Sequence, residues 1–131
     1  MRAVIDTNVL VSALLSDRGP PSKIVERLLH GEIAACYDDR IMDEYEEVLF
    51  RPRLRISFEK ASEVLDYIVL SGNHVNPAVS DIHFIDESDK PFFETALECG
   101  ALLITGNAKH FPAKEWILPP TEFLQRVVED T

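Results

Sequence analysis

The segment RAVIDTNVLVSALL, residues 2–15, combines the two patterns that decide the fold. Within residues 2–6, a short apolar run, Ala3-Val4-Ile5, lies between Arg2 and Asp6 and predicts a buried strand. A polar Asp-Thr-Asn turn follows, and the apolar run that begins at Val9 predicts a helix. A buried strand that passes through a polar turn into a helix is typical of proteins with alternating β and α elements.

The rest of the sequence continues this alternation to its end. The predicted helices cover residues 9–15, 21–31, 39–50, 57–72, 86–100 and 121 onward. Strands are predicted at residues 33–37, 101–105 and 116–118, and a further strand at either 74–76 or 82–85. Val69 and Leu97 are assigned to the inward faces of their helices. The pattern predicts a single α/β domain over residues 1–131 with a mostly parallel sheet.

The composition of the 131 residues excludes several classes of protein. With 46% hydrophobic and 27% charged residues, the chain is neither disordered nor collagen-like. No stretch approaches the roughly 20 apolar residues that span a bilayer, so we expect a soluble, cytoplasmic protein with no membrane partner. The net charge of −10 opposes nucleic-acid binding through overall electrostatics, and a polyanion would need a local basic patch or metal ions. Cys36 and Cys99 lack metal-site spacing and are predicted to be buried free thiols.

Polar side chains follow the ends of the predicted strands. Asp6 comes directly after the first strand and Asn107 after the fourth, while Asp86 and Asp89 begin a helix at the same edge of the sheet. Sites in open α/β sheets form at this edge, and Mg²⁺ and Mn²⁺ are held by carboxylates from different elements. Each acid alone also fits an ordinary helix-capping role. Their convergence favours a cation site.

The predicted helix at residues 39–50 contributes four more acids. At about 100° per residue, Asp43 and Glu47 project away from its apolar face, whereas Glu44 and Glu46 border that face on opposite sides. Only a bordering side chain can reach into a cleft. Glu44 and Glu46 are therefore the candidates from this helix, and a solvated helix surface is the alternative role for both.

Three segments together resemble the PIN-domain nucleases. They are VIDTNVLVSA at residues 4–13, IMDEYEEVLFRP at 41–52, and DESD at 86–89 followed by LITGNAKHFP at 103–112. The likeness covers nearly the whole chain and is strongest to the VapC-like toxins of prokaryotic toxin–antitoxin systems. It implies a three-layer α/β/α sandwich around a parallel sheet of four to five strands. It also implies a Mg²⁺- or Mn²⁺-dependent endoribonuclease that hydrolyses single-stranded RNA as the toxin of such a pair.

The resemblance implies roles for individual residues. Asp6, Glu44 and Asp89 match the family's first three acids and are expected to be catalytic and to hold the metal, with Asp86 in a supporting position. The fourth acidic position is Asn107 here. An amide offers one neutral oxygen where a carboxylate offers a charged pair, so Asn107 is expected to contribute to the metal site while favouring a single cation.

Hydroxyl and amide groups beside these acids are expected to support them. Thr7, Asn8, Ser12 and Thr105 are the candidates, and capping or turn roles are the alternative for each.

Basic residues near two of the site segments are the candidates for nucleic-acid binding. Arg51 and Arg53, with Arg55, follow the acidic helix, and Lys109, with His110, follows the Asn107 turn. The histidines show no shared spacing typical of a metal site. The partners implied are the RNA substrate, an antitoxin protein and a second copy of the chain in a two-fold homodimer.

Two other functions are alternatives to a nuclease. A phosphotransferase or receiver-like protein would use Asp6 as a phosphoryl acceptor, but it would need a lysine after the last strand or a second aspartate where Asn8 stands. A catalytically silent PIN module would bind RNA or a protein without turnover. Asn107 is the feature that favours this second alternative.

Overall fold

Residues 1–129 are described by a computed structural model of the chain, and residues 130 and 131 of the predicted domain lie outside that range. The strands are β1 Arg2–Ile5, β2 Ala34–Tyr37, β3 Asn73–His74, β4 Leu102–Ile104 and β5 Ile117–Leu118. The helices are α1 Thr7–Leu15, α2 Pro20–Leu29, α3 Asp39–Leu49, α4 Phe58–Ser71, α5 Lys90–Cys99 and α6 Pro120–Glu129. Short 3₁₀ turns lie at Pro52–Leu54, Glu87–Asp89 and Ala108–His110. Within the described range, no helix is long and apolar enough to cross a membrane.

The five strands form one parallel sheet in the order β3-β2-β1-β4-β5. The first strand of the chain is therefore the middle strand. Ala3 pairs with Ala35 on one side and with Leu102 on the other. The α/β prediction with its parallel sheet of four to five strands is confirmed.

The burial of β1 requires helices on both faces of the sheet. Ala3, Val4 and Ile5 are all fully buried, although successive side chains of a strand point to opposite faces. Both faces are covered by the helical layers, since α5 packs against β1, β2 and β4, α4 against β2, and α6 against β5. The result is the three-layer α/β/α arrangement, and it exposes the carboxyl ends of the strands at one edge.

The third strand is shorter than either predicted alternative. It consists of Asn73 and His74, paired with Cys36 and Tyr37 of β2, and one more ladder hydrogen bond runs from the Val75 N–H to the Tyr37 carbonyl. The alternative at 82–85 was wrong, because that segment is irregular. The buried ring of Phe84 anchors it through edge contacts.

Gly72 is required at the junction of α4 and β3. A Cβ atom there would lie 2.5 Å from the carbonyl oxygens of both Ala35 and Ile68. The helix therefore ends where the chain turns closely against the sheet.

Two helical positions face solvent rather than the core. Val69 in α4 and Leu97 in α5 are each 54% exposed, so their assignment to the inward faces was wrong. On α5, the acidic Glu94 and the polar Thr95 are buried instead. Glu94 is accommodated because the Arg40 guanidinium donates to its carboxylate at 2.8 Å, and the Ser80 N–H donates to it as well.

The two cysteines are free thiols, as predicted, with Cys36 buried and Cys99 half-buried. Burial, with the nearby Cys99 thiol, raises the pKa of Cys36 to about 12. An uncharged, buried thiol of this kind is unreactive.

Candidate functional site

Asp6 lies at the carboxyl end of β1 and is 5% exposed. Its Oδ2 atom accepts hydrogen bonds from the Thr105 hydroxyl at 2.7 Å and from the Asn8 side-chain amide at 3.2 Å. The Asp6 N–H donates to the Ile104 carbonyl, which extends the β1–β4 pairing to this point. The strand register therefore places Asp6 and Thr105 side by side.

Glu44 is presented toward the same edge by α3. The helix is fixed at its beginning by Asp38, whose carboxylate accepts from the Ile41 N–H at 2.8 Å, and at its middle by Tyr45, whose buried hydroxyl donates to the Ile5 carbonyl. Glu44 itself is half-buried and accepts a hydrogen bond from the Thr7 hydroxyl. The contacts of Tyr45 and Thr7 thus tie this carboxylate to the residues on either side of Asp6.

Asp89 reaches the edge from the 3₁₀ turn that precedes α5. Asp86 caps this turn, accepting from the Ser88 N–H at 2.9 Å and the Ser88 hydroxyl at 2.7 Å. The Oδ2 atom of Asp89 is buried and has no hydrogen-bond partner among the described residues. The His110 ring lies beside it, with its Nδ1 atom 3.7 Å from that oxygen.

The pKa values show that these acids form one electrostatic cluster. Burial, together with the charges of Asp89 and Glu44, raises the pKa of Asp6 from 3.8 to about 6, against the hydrogen bond from Thr105. Burial and the charges of Asp89 and Asp86 raise the pKa of Glu44.

Asp89 and Asp86 differ in their pKa directions. Burial and the charge of Asp86 raise the pKa of Asp89, and His110 opposes this. The two hydrogen bonds from Ser88 lower the pKa of Asp86, which is exposed. Asp86 therefore supplies a permanent negative charge at the rim, while the deeper acids are stabilised by a proton or a cation.

The donor chemistry fits a hard divalent cation. Three carboxylates from different elements face one edge, and one of them, Asp89, has a buried oxygen that accepts no hydrogen bond within the described residues. No three Asp, Glu, His or Cys side chains of the described residues are spaced to hold a metal ion as they stand. Glu44 is turned to Thr7, and Asp6 to Thr105 and Asn8.

Asn107 lies in the turn that follows Thr105. Its N–H donates to the Thr105 hydroxyl oxygen at 3.0 Å, and the preceding Gly106 N–H donates to the Asn8 side-chain oxygen at 3.1 Å. The Asn107 side chain is exposed and makes no hydrogen bond within the described residues. The supporting groups Asn8 and Thr105 thus connect this turn to Asp6.

The proposed nucleic-acid-binding residues lie outside this cluster of contacts. Arg51 donates to both Glu47 carboxylate oxygens at 2.7 Å, while Arg53 and Lys109 are exposed. Among the described side chains, none of the three forms an ion pair with Asp6, Glu44 or Asp89.

His110 was predicted only as a basic residue beside Lys109, and its contact with Asp89 was not predicted from the sequence. The 3₁₀ turn Ala108–His110 brings its ring beside Asp89, a contact that histidine spacing along the chain cannot reveal. The available signal was its position, since it follows the same strand end as Asn107. The contact of the Tyr45 hydroxyl with the Ile5 carbonyl was not predicted from the sequence either.

Comparison with known proteins agrees with this arrangement. A family model described as PIN domain matches residues 2–109. Over 110 residues the chain is 29% identical to the uncharacterized protein MJ1680 of Methanocaldococcus jannaschii, covering 82% of this chain and 71% of that protein. No solved structure gives a significant match. The chain belongs to the PIN-domain family, whose members are generally nucleases that use divalent metal ions.

Proposed function

We propose that the protein is an endoribonuclease that uses Mg²⁺ or Mn²⁺ to hydrolyse phosphodiester bonds of single-stranded RNA. The observation that supports this most directly is the buried, unpartnered Oδ2 of Asp89 beside two other acids with raised pKa values. A carboxylate cluster of this kind is unfavourable unless it binds cations or protons.

Asp6, Glu44 and Asp89 would hold the cation, and Asn107 adds a neutral oxygen at the same edge. When bound, a divalent cation supplies positive charge that polarises a phosphate and lowers the pKa of water. One-cation chemistry is favoured, because Asn107 replaces a fourth charged ligand.

The protein side chains hold the carboxylates in place, and a carboxylate deprotonates the attacking water. Within the described residues, both hydrogen bonds that side chains donate to Asp6 go to Oδ2, so Oδ1 has no side-chain partner and can accept a proton from water. Thr105 and Asn8 fix the carboxylate plane, and Thr7 fixes Glu44. The water would attack phosphorus in line as the P–O3′ bond breaks, and the departing 3′ oxygen would take up a proton from solvent, which gives a 5′-phosphate and a 3′-hydroxyl.

The biological role we propose is that of the toxin in a toxin–antitoxin pair, with an antitoxin protein as inhibitor and a homodimer as the assembled form. The likeness of the three motif segments to VapC-like toxins supports it. Co-purification of the chain with the product of an adjacent gene, and the mass of the free protein in solution, test these two partners separately.

The test of the enzymatic proposal is cleavage of an end-labelled single-stranded RNA with Mn²⁺, with Mg²⁺ or with chelator. Asp6→Asn and Glu44→Gln should each lower the rate about 100-fold or more, as expected for removal of a group that stabilises the transition state. Glu46→Gln is the matched control, because Glu46 is an exposed acid two residues from Glu44 on the same helix. Cleavage by Asp6→Asn at the wild-type rate, or cleavage undiminished by chelator, would contradict the proposal.

The second candidate function is RNA binding without turnover. The exposed, uncharged Asn107 favours it, because this is the position where the resemblance implies a fourth acid. An Asn107→Asp variant separates the candidates. If the protein is a silent module, the wild type does not cleave RNA and only the variant does. If it is the enzyme we propose, the wild type already cleaves RNA.

A further inference from the structure

Two phenylalanine rings form a pair outside the core. Phe50 follows the last residue of α3 and Phe58 is the first residue of α4. Their ring centroids lie 5.2 Å apart with the planes tilted by 41°, and Phe58 is 71% exposed. Contiguous exposed aromatic surface, unlike a single exposed apolar side chain, marks a site of interaction.

The segment that joins the two rings contains three arginines. Arg51 is occupied by Glu47, which accepts from it through both carboxylate oxygens. Arg53 and Arg55 are exposed, and among the described side chains no carboxylate lies within 4 Å of either guanidinium. In a chain of net charge −10, two uncompensated guanidinium groups beside an aromatic pair are complementary to a polyanion.

The strained backbone at Arg55 is a second observation that points to a function for its side chain. Arg55 has φ 54° and ψ 30°, and it is the single non-glycine residue with positive φ in the described chain. Glycine or asparagine adopts this left-handed conformation more readily than arginine does. Because the Arg55 side chain makes no hydrogen bond or ion pair among the described residues, its presence at a strained position indicates a use outside the fold.

We propose that Phe50, Phe58, Arg53 and Arg55 form a stacking platform for single-stranded RNA. An unpaired base stacks on the open face of Phe58, and the two guanidinium groups bind the flanking phosphates. A duplex is bound less well, because its bases are not free to stack on a side chain. This inference rests on the proposed function and assigns the segment that holds its substrate.

The platform lies close to the candidate site along α3. Phe50 is six residues beyond Glu44, which corresponds to about 9 Å along the helix axis. RNA held on the platform is thus placed to enter the acidic edge, and the platform supplies the local positive charge that the chain as a whole lacks.

The test measures binding rather than cleavage. A short fluorescein-labelled single-stranded RNA, and the same sequence as a duplex, are titrated with the full chain in chelator, with fluorescence anisotropy as the readout. Phe58→Ala should weaken binding of the single strand roughly 5-fold or more, and Phe58→Trp should retain it. Leu70→Ala is the matched control, since Leu70 is 85% exposed near the other end of the same helix.

The arginines are tested through salt dependence. Arg53→Ala should reduce the slope of log affinity against log salt by about 0.7, the value for one lost phosphate contact on a single strand. Arg55→Gly should weaken RNA binding while raising the melting temperature, because it relieves the backbone strain. A merely structural arginine would lower the melting temperature and leave the salt slope unchanged.

The outcomes separate this proposal from the enzymatic one. If the wild type binds RNA without cleaving it in Mn²⁺ and Phe58→Ala binds less, the platform stands and the nuclease fails. If the wild type cleaves and Phe58→Ala binds equally well, the platform is overturned and the nuclease stands. A change in oligomeric mass with unchanged RNA binding in Phe58→Ala would also overturn it, and would identify the aromatic pair as an interface between protein chains.

Discussion

Asp6 is held in a position that favours its protonated form. Its pKa of about 6 exceeds the ordinary value of 3.8, so the folded state binds this proton more tightly than the unfolded state. The contribution of this proton to the free energy of unfolding is therefore fully present below about pH 4, and it is lost as the pH rises through 6. At neutral pH the ionised cluster therefore lowers the free energy of unfolding.

The Asp6→Asn variant should be more stable than the wild type at neutral pH in the absence of divalent cations. The expected increase in the free energy of unfolding is about 3 kcal/mol at about pH 7.5, with no difference near pH 3.5. Urea unfolding in chelator at both pH values measures it. An equal difference at the two pH values would show that the effect is not the charge of Asp6.

Divalent cations should have the opposite effect on the wild type. Mn²⁺ at about 100 times its dissociation constant should raise the free energy of unfolding by about 2.7 kcal/mol, because the cation neutralises Asp89 Oδ2 and its neighbours. Asp89→Asn should lose most of this gain, whereas Glu46→Gln should keep it. Thermal melts with and without Mn²⁺ provide the measurement, and a wild-type melting temperature unaffected by Mn²⁺ would contradict the site.

At the scale of elements, Arg40 holds α3 and α5 together. Its guanidinium donates to Asp38 at 2.6 Å and to Glu94 at 2.8 Å, and both carboxylates are nearly fully buried. Burial opposes the ionised form of Glu94, but hydrogen bonds from the Ser80 N–H and Arg40 keep its pKa below the ordinary value. This network fixes the separation of the two helices on which Glu44 and Asp89 depend.

Arg40→Ala should lower the free energy of unfolding by about 2 kcal/mol at neutral pH, since it leaves two buried carboxylates without their cation. The loss should shrink as the pH falls and Glu94 becomes protonated, because a lowered pKa stabilises the fold only above the ordinary value. Arg27→Ala is the control, because it breaks an exposed ion pair with Glu32 and should cost less than 1 kcal/mol, about the limit for surface pairs. Similar losses in both variants would show that the Arg40 network stabilises the fold no more than a surface ion pair does.

The elements that sequence could predict were those with a clear apolar period. The faces of α2 and α3 follow their apolar stripes, and β1 follows its short buried run. The exposure of Leu97 could not be predicted, because α5 buries Glu94 instead, and it does so only through a partner 54 residues away in the sequence. The position of β3 could not be chosen between the two predicted segments, because a strand of only two paired residues gives no periodic signal in the sequence.

The acidic residues of the candidate site could be predicted from the sequence, but not all of their contacts. The strand-end rule placed Asp6, the helix period left Glu44 eligible, and the acidic turn placed Asp89, and the structure brings these three into one electrostatic cluster. The contact of His110 with Asp89 depends on how one 3₁₀ turn folds back. That geometry is set by tertiary packing and not by local pattern.

For the whole molecule, the dominant property is its net charge of −10. Self-repulsion of this size destabilises the compact state, and salt screens it. Raising NaCl from about 10 mM to about 150 mM in chelator should therefore raise the melting temperature while it weakens RNA binding. A variant with exposed acids neutralised, Asp43→Asn with Glu46→Gln, should show a smaller increase. A falling melting temperature would mean that attractive ion pairs outweigh the repulsion.

Among the five strands, β1 comes first in the sequence, yet it is the middle strand of the sheet. Ala3 pairs on one side with Leu102, and the Asp6 carboxylate accepts a hydrogen bond from Thr105, so both contacts need residues that come about 100 positions later in the sequence. A nascent chain that ends before β4 can pair β1 only with β2, and it contains no assembled cleft. A ribosome making this domain therefore carries an incomplete site until β4 and Thr105 have been translated.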